Sequence, residues 1–262
     1  MSLKNNKSLG QHWLKDPEIL ADIADAADLT TDDTVLEIGP GLGTLTSRLL
    51  ARAGKVIAVE FDESLARKLP AQFPGKNLEV IYQDILRFDT SILSKNYKIV
   101  ANVPYYITGK IISKFSEAQN PPSLMVLLVQ KEVAERLVAK PGEYSLSGLA
   151  AQIYHEVNLG SVVSAEFFAP PPKVDSQVVT LERRAEPLVP LDQQTAFFRL
   201  AKAGFSAKRK KLRSSLAGGL NIEKTEVEKL LDQANIPENS RAEDLSIDQW
   251  LTLLAKYDIM KR

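Results

Sequence analysis

The spacing of apolar and polar positions divides the chain into two differently patterned parts. Up to about residue 130, short apolar runs alternate with segments whose apolar residues recur at helical spacing. The apolar runs predict five strands, at 34–39, 55–62, 77–84, 97–103 and 123–130. Strands that alternate with helices indicate a parallel sheet covered on both faces. The nearly continuous apolar character of the first and fifth runs is typical of such buried strands. The pattern therefore predicts an α/β fold.

The pattern changes after Val157. Two runs with period-2 character, 158–168 and 176–184, predict an antiparallel pair at the edge of the sheet. From about residue 186 every segment has helical spacing, which predicts a small all-helical region. The segment AEPLVPLD, 185–192, has the composition of a linker. We predict a main domain over residues 1–185 and a helical domain over residues 186–262.

Composition narrows the possible chemistry. The chain has 33 basic and 33 acidic residues, no cysteine and two histidines. Disulfides, thiolate nucleophiles and cysteine-ligated metals are therefore excluded, and we predict no metal site. No stretch approaches the ~18 apolar residues of a membrane helix, and the N-terminal segment lacks an apolar core. We expect a soluble intracellular protein.

A glycine-rich turn follows the first strand. Gly39, Gly41 and Gly43 lie between that strand and the next helix, in the spacing G-x-G-x-G. Glycine lets a backbone approach a ligand closely, but this spacing is neither the dinucleotide fingerprint nor a P-loop. The short form suits a ligand without a pyrophosphate, such as S-adenosylmethionine (SAM). An ordinary tight turn between strand and helix is the alternative.

Two acidic residues end the next two strands. Glu60 closes the second strand and could accept hydrogen bonds from both ribose hydroxyls of a nucleoside. Asp84 closes the third strand and could accept one from an adenine amine. Each alone is equally explained as a solvated acid at a strand end. Together with the glycines, they place ligand-binding groups at one edge of the sheet.

An amide and aromatic rings follow the fourth strand, in NVPYY. The Asn102 side-chain oxygen and the Pro104 carbonyl could hold the two N–H groups of an adenine amine, which aligns its lone pair with an incoming methyl group. Tyr105 offers a flat face for stacking of the base, worth ~1–3 kcal/mol. Tyr106 is a weaker candidate for this stacking contact than Tyr105. A proline turn with packed tyrosines is the alternative.

Two further segments suggest contacts with nucleic acid. The proline-rich stretch FFAPPPKVDS, 167–176, could present Phe168 as the second wall around a flipped adenine, or could simply anchor a loop. Residues 199–213 contain seven basic side chains and no acidic one, which favours phosphate contact over a solvated helix face. We predict RNA contacts for five of these, Lys208, Arg209, Lys210, Lys211 and Arg213. Lys4, Lys7 and Lys15 form a basic arm that could close over the cofactor or touch phosphates.

These motifs together resemble the ribosomal RNA adenine N6-dimethyltransferase family. SLGQHWL, EIGPGLGTLT, VEFD, QDIL, NVPYYIT and FFAPPPKVDS occur in that family's order and spacing, over essentially the whole chain. The resemblance implies a Rossmann-like SAM-dependent fold with a helical C-terminal domain. It places cofactor contacts at six positions, His12, Leu14, Gly39, Glu60, Asp84 and Asn102. The glycine spacing adds Gly41 as a seventh predicted cofactor contact. The chain departs from the usual family residues at His12, Trp13 and Val103.

The bacterial small-subunit (kasugamycin-resistance) branch is the most similar. This implies dimethylation of two adjacent adenosines near the 3′ end of small-subunit rRNA, within an immature 30S-type particle, by a cytoplasmic monomer that contacts no membrane. Three alternatives remain: the large-subunit branch that confers macrolide resistance, a non-enzymatic assembly or transcription factor, and a glutamine methyltransferase acting on protein. The EIGPGLG motif disfavours the first, the intact NVPYY set the second, and the basic run the third.

Overall fold

The computed structural model describes residues 12–260. Within that range the chain forms nine strands, β1 (Trp13–Leu14), β2 (Thr34–Ile38), β3 (Lys55–Glu60), β4 (Leu78–Tyr82), β5 (Lys98–Asn102), β6 (Leu124–Gln130), β7 (His155–Val163), β8 (Phe168–Ala169) and β9 (Ser176–Arg183). It also forms ten α-helices, α1 (Pro17–Asp25), α2 (Thr44–Leu49), α3 (Glu63–Gln72), α4 (Thr108–Ser116), α5 (Lys131–Leu137), α6 (Leu146–Tyr154), α7 (Gln194–Phe205), α8 (Leu212–Leu220), α9 (Lys224–Gln233) and α10 (Ile247–Met260).

Seven strands form one sheet in the order β4-β3-β2-β5-β6-β9-β7. The pairs β2–β3, β2–β5, β3–β4 and β5–β6 are parallel, and β9 runs antiparallel to β6. The five predicted parallel strands are confirmed, and so is the placement of the two later strands at one edge. β1 and β8 form a separate two-stranded antiparallel sheet that the sequence pattern did not indicate.

Parallel order brings the carboxyl ends of the strands to one edge of the sheet. Burial explains why these segments become strands, since nearly every residue of β2, β3, β5 and β6 is buried. The helices have local start signals: the Asp16 carboxylate accepts from the amides of Glu18 and Ile19 at 3.0 Å each and so caps α1. The Asp62 carboxylate caps α3 in the same way.

The chain divides into two compact units. One comprises the residues up to Glu135 together with Glu156–Arg183, and the other comprises Arg136–His155 and Arg184–Arg262. The α/β architecture and the helical C-terminal region are therefore as predicted. The structure differs from the single boundary at 185/186 because residues 136–155, which contain α6, group with the helical unit.

The helical unit has its own apolar core. Trp250, Phe197 and Leu200 are fully buried there. Helices α7 and α8 approach closely at Gly219, where an added Cβ would lie 2.6 Å from the Ala203 Cα. The predicted basic run is not one continuous helix, because a turn over residues 206–210 separates α7 from α8.

Two classes of feature are missing from the described residues. None of the helices found between residues 12 and 260 is long and apolar enough to cross a membrane. The same portion of the chain contains no cluster of three or more histidine or acidic side chains placed to hold a metal ion.

Candidate active site

A cavity of about 340 Å³ opens at the carboxyl end of the parallel strands. Small-molecule sites typically have volumes of ~300–1,000 Å³. Its lining includes every predicted cofactor residue, together with Pro104 and Tyr105 from the predicted adenine site. It also includes residues without a predicted role, among them Trp13, Glu37, Phe61 and Lys110. Residues that are far apart in the sequence therefore share one wall.

The glycine-rich turn has the backbone conformation that glycine allows. Gly39 and Gly41 have φ values of +65° and +56°, in the left-handed region that other residues rarely adopt. A Cβ on Gly39 would meet nothing within 4 Å, so that position is open towards the cavity. Gly43 serves packing instead, because a Cβ there would lie 2.7 Å from Leu69 Cδ1.

The two strand-end acids are held by backbone amides. Glu60 is 6% exposed; its two carboxylate oxygens accept from the Gly41 amide at 3.0 Å and the Asp62 amide at 2.8 Å. Burial raises the pKa of Glu60, and these amide hydrogen bonds oppose that effect. Asp84 accepts from the Leu86 amide at 2.9 Å through one oxygen. Both carboxyl groups therefore have fixed orientations and acceptor capacity left for a ligand.

Asn102 ends β5 and lines the cavity. Its amide nitrogen donates to the main-chain oxygen of His12 at 3.2 Å. The amide oxygen is thereby left as an acceptor for a ligand. The Pro104 oxygen already accepts from the Ile107 amide at 3.1 Å, with the Thr108 hydroxyl at the longer distance of 3.5 Å. A carbonyl oxygen has two lone pairs, so Pro104 retains limited further capacity.

Tyr105 is fixed at both ends. Its hydroxyl is 2.6 Å from the hydroxyl of the buried Ser176, and burial raises the pKa of the phenol. The His12 ring lies stacked beside the Tyr105 ring, with centroids 6.0 Å apart and planes inclined by 18°. His12 Nδ1 is 2.7 Å from the Pro170 carbonyl oxygen. His12 thus links the N-terminal segment, the proline-rich stretch and the predicted adenine site.

Phe168 does not match its predicted role. It is 3% exposed, belongs to an apolar cluster with Leu14 and Leu20, and is not among the cavity-lining residues. Pairing of β8 with β1 places Phe168 opposite Leu14 and buries it. The prediction that Phe168 forms the second wall around an adenine is therefore wrong for this structure. The adjacent Phe167 is 40% exposed.

Glu37 is a cavity residue that the sequence analysis missed. It is 1% exposed, and neither carboxyl oxygen makes a hydrogen bond of ordinary geometry with the described residues, although the Thr46 side chain is adjacent. Burial, reinforced by the charge of Glu60, raises the pKa of Glu37 to about 8. The available signal was a lone acid within the apolar run TVLEIG. Phe61 and Tyr106, 57% and 64% exposed, also border the cavity.

The predicted RNA-binding side chains fall into two groups. Lys208, Arg209 and Lys210 are exposed in the turn between α7 and α8. Arg213 instead forms ion pairs with Glu228 and Glu238, and Lys211 donates to Asn239. The turn therefore offers solvent-exposed cations, whereas the last two are engaged within the helical unit. Of the basic arm, Lys15 is exposed, while Lys4 and Lys7 lie outside the described residues.

The volume of the cavity and the hydrogen-bonding groups of its wall fit SAM. A Cβ on Gly41 would lie 3.4 Å from Trp13 Nε1, so the glycine leaves space at the wall that a side chain would occupy. Glu60 and Asp84 retain acceptor capacity of the kind that ribose hydroxyls and an adenine amine require. Glu37 and the Trp13 indole nitrogen are buried polar groups without partners among the described residues, and both line this cavity. Unpaired buried polar groups at a cavity are typical of a ligand site.

Comparison with known proteins agrees with the geometry. The family profile described as "Ribosomal RNA adenine dimethylase" matches residues 2–258. The chain is 45% identical over 260 residues to "Ribosomal RNA small subunit methyltransferase A" of Dehalococcoides mccartyi (strain BAV1), covering 98% of this chain and 89% of that protein. It is 41% identical over 258 residues to the protein of the same name from Alkaliphilus metalliredigens, covering 95% and 90%.

Two solved structures extend the similarity to the fold. The dimethyladenosine transferase of Plasmodium falciparum superimposes with a TM-score of 0.81 at 28% identity, covering 95% of this chain and 98% of that one. The 23S rRNA methyltransferase ErmE gives a TM-score of 0.73 at 30% identity, covering 94% and 99%. With this coverage, each match includes residues of both units. The chain therefore belongs to the ribosomal RNA adenine dimethylase family and is a SAM-dependent rRNA methyltransferase.

Proposed function

We propose that this chain dimethylates the N6 amines of two adjacent adenosines near the 3′ end of small-subunit rRNA. The observation that carries the proposal is the orientation of Asn102. Its NH₂ group is tied to the His12 carbonyl, and its oxygen is left as an acceptor at the cavity that Gly39 also lines. The lone pair of adenine N6 is delocalised into the ring, so the amine is a weak nucleophile. Acceptors that hold its N–H groups align the lone pair with the incoming methyl group. An amide turned the other way would present donors and repel the amine hydrogens.

The remaining groups act on the same nitrogen. When bound, SAM supplies an electrophilic methyl group on a sulfonium. The Asn102 oxygen and the Pro104 carbonyl accept the N–H groups, so the lone pair of N6 faces the cofactor side of the cavity. Tyr105 supplies a flat surface for the base. Methyl transfer would form the N–C bond, break the S–C bond with release of S-adenosylhomocysteine, and leave a positively charged nitrogen that would give one proton to water, so no strong base is required. Positioning and electrostatics provide the acceleration.

The Pro104 contact bears on the second methylation. A monomethylated amine has one N–H left, so one acceptor loses its partner. Pro104 already accepts from the Ile107 amide, whereas among the described residues no other group bonds the Asn102 oxygen. We assign the retained hydrogen bond to Asn102, because leaving its oxygen unpaired costs more than releasing an oxygen that keeps another partner.

The small-subunit target is favoured over the large-subunit target by relatedness. Curated relatives at 41–45% identity are named as small-subunit methyltransferases, whereas the 23S enzyme ErmE is 30% identical. We place the reaction on an immature 30S-type particle in the cytoplasm, performed by a monomer that contacts no membrane. The exposed basic turn at Lys208, Arg209 and Lys210 suits RNA phosphates.

The deciding experiment supplies labelled SAM and immature small subunits, followed by digestion of the rRNA to nucleosides. We expect N6,N6-dimethyladenine at about two residues per particle, as two adjacent targets require. Naked large-subunit rRNA, assayed in parallel, is the competing substrate. Dimethyladenine in the large-subunit RNA alone, or no product where a small-subunit relative is active, would contradict the proposal.

A further inference from the structure

The indole nitrogen of Trp13 is a buried hydrogen-bond donor that lacks a partner among the described residues. Trp13 belongs to the short strand β1, pairs with Ala169 and lines the cavity. Its Nε1 is buried, and within the described part of the chain it makes no hydrogen bond. Buried tryptophan N–H groups normally find an acceptor, because an unsatisfied donor loses its hydration without compensation. Because Trp13 also lines the cavity, a molecule bound there can supply the missing acceptor.

The N–H edge of the ring faces the glycine-rich turn. A Cβ on Gly41 would lie 3.4 Å from Trp13 Nε1 and 3.5 Å from Cδ1, so the indole packs against the side of the turn that carries no side chain. The sequence neighbours of Trp13, His12 and Leu14, line the same cavity. Trp13 thus lies against the glycine-rich turn at the cavity wall.

The chemistry of the other wall groups indicates which acceptor of SAM pairs with the Trp13 N–H. SAM carries donors on its adenine, ribose and ammonium groups, and one negatively charged acceptor, the carboxylate of its methionine part. Two acidic side chains at the cavity, Glu60 and Asp84, suit the donors and repel that carboxylate. The carboxylate therefore needs a donor from elsewhere on the wall.

Three other side-chain donors at the wall are engaged or lie away from the turn. The Thr44 hydroxyl donates to the Leu14 carbonyl at 3.0 Å, and His12 Nδ1 is paired with the Pro170 oxygen. Lys110 is exposed in α4, which follows the Asn102–Tyr105 segment rather than the glycine-rich turn. We propose that the Trp13 indole N–H donates a hydrogen bond to the methionine carboxylate of SAM. The proposal rests on the cofactor assignment and is independent of the RNA target.

Binding measurements with two ligands test the proposal. Trp13→Phe keeps an aromatic ring and removes the N–H. S-adenosylhomocysteine retains the carboxylate, whereas 5′-methylthioadenosine lacks the whole amino-acid part. By calorimetry, we expect the variant to bind S-adenosylhomocysteine about tenfold more weakly, the size expected for a hydrogen bond to a charged group. Its affinity for methylthioadenosine should stay within about twofold. An equal loss for both ligands, or no loss for either, would overturn the proposal.

A spectroscopic readout needs no variant to fold. The chain has two tryptophans, Trp13 and Trp250, so its ¹⁵N–¹H spectrum has two indole N–H signals. We expect the Trp13 signal to move downfield with S-adenosylhomocysteine and not with methylthioadenosine. Trp250, buried in the helical unit, is the internal control. A Trp13 signal unmoved by bound S-adenosylhomocysteine would refute the hydrogen bond. Wild-type protein that binds this ligand but leaves rRNA unmodified would refute only the proposed function.

Discussion

The Asn102 amide nitrogen donates to the main-chain oxygen of His12 at 3.2 Å, across 90 positions of sequence. This bond fixes which end of the amide faces the cavity. It also ties the predicted catalytic residue to the N-terminal segment, which β1 joins to the proline-rich stretch. Orientation of one amide therefore depends on contacts between three separate parts of the chain.

Asn102→Ala should abolish methyl transfer. The variant loses the acceptor for the adenine amine and the tether to His12, so we expect kcat to fall by about 100-fold or more. Affinity for S-adenosylhomocysteine should fall only in part, because Glu60, Asp84 and the glycine-rich turn remain. Single-turnover methylation and calorimetry measure the two effects separately.

The matched control is Asn158→Ala, which removes the same group from an exposed position of β7. It should leave both transfer and binding unchanged. Transfer by Asn102→Ala within about threefold of wild type would show that the amide does not hold the substrate nitrogen.

Tyr105 separates a structural contact from a stacking contact. Tyr105→Phe loses the hydrogen bond to Ser176 and should lower the free energy of unfolding by about 1 kcal/mol, while methyl transfer stays within a few-fold. Tyr105→Ala removes the flat surface as well, so kcat/KM on RNA should fall by about 10–100-fold.

Ser176→Ala supplies the cross-check, because it removes the same hydrogen bond from the other side. Its destabilisation and that of Tyr105→Phe should not add in the double variant. Should Tyr105→Phe and Tyr105→Ala prove equally impaired in transfer, the hydroxyl and not the ring face would be the functional group.

Local patterns predicted most of the fold and the polar groups at the strand ends that line the cavity. The five parallel strands have continuous apolar character, and parallel order brings their carboxyl ends together whatever the sequence of the rest. Gly39, Glu60, Asp84 and Asn102 each follow or end such a strand, and all four line the cavity. Their shared location follows from topology alone.

The predictions that failed depend on contacts between segments distant in the sequence, which no local pattern reveals. Phe168 lies next to proline residues that suggest an exposed loop, but β8 pairs with β1 more than 150 positions earlier and buries the ring. Glu37 was overlooked because its strand is otherwise apolar, and only the structure shows the carboxyl at the cavity. The grouping of α6 with the helical unit also depends on tertiary contacts.

The basic turn should control RNA affinity through charge. Lys208→Gln and Lys210→Gln together should weaken binding, and should reduce the slope of log K against log salt by about 0.7–0.9 for each phosphate that no longer pairs with a lysine. Filter binding at several salt concentrations measures the slope.

Arg213→Gln should behave differently, because the Arg213 guanidinium pairs with Glu228 at 2.5 Å and Glu238 at 3.1 Å. It should lower stability by about 1 kcal/mol and leave the slope nearly unchanged.

Lys224→Gln, an exposed charge at the start of α9, is the control for non-specific charge effects. Lys224→Gln should change neither the RNA affinity nor the slope of log K against log salt. If all three lysine substitutions reduce the slope equally, the turn has no special place in RNA binding.

Glu37→Gln should make the free protein more stable at alkaline pH. The folded-state pKa of Glu37 is raised to about 8 from an ordinary value of 4.5, so folding holds a proton that the unfolded chain releases. The wild type therefore loses stability between about pH 4.5 and pH 8, by about 3 kcal/mol at pH 7. The glutamine cannot ionise and lacks this loss, whereas any cost of its buried amide is the same at every pH. The advantage of the variant over wild type should consequently be small at pH 5 and large at pH 8. Urea unfolding at both pH values measures this stability difference.

Glu166→Gln, which makes the same change at an exposed position, controls for removal of a carboxyl group. A stability difference between Glu37→Gln and wild type that stays constant from pH 5 to pH 8 would mean that Glu37 is ionised in the folded protein.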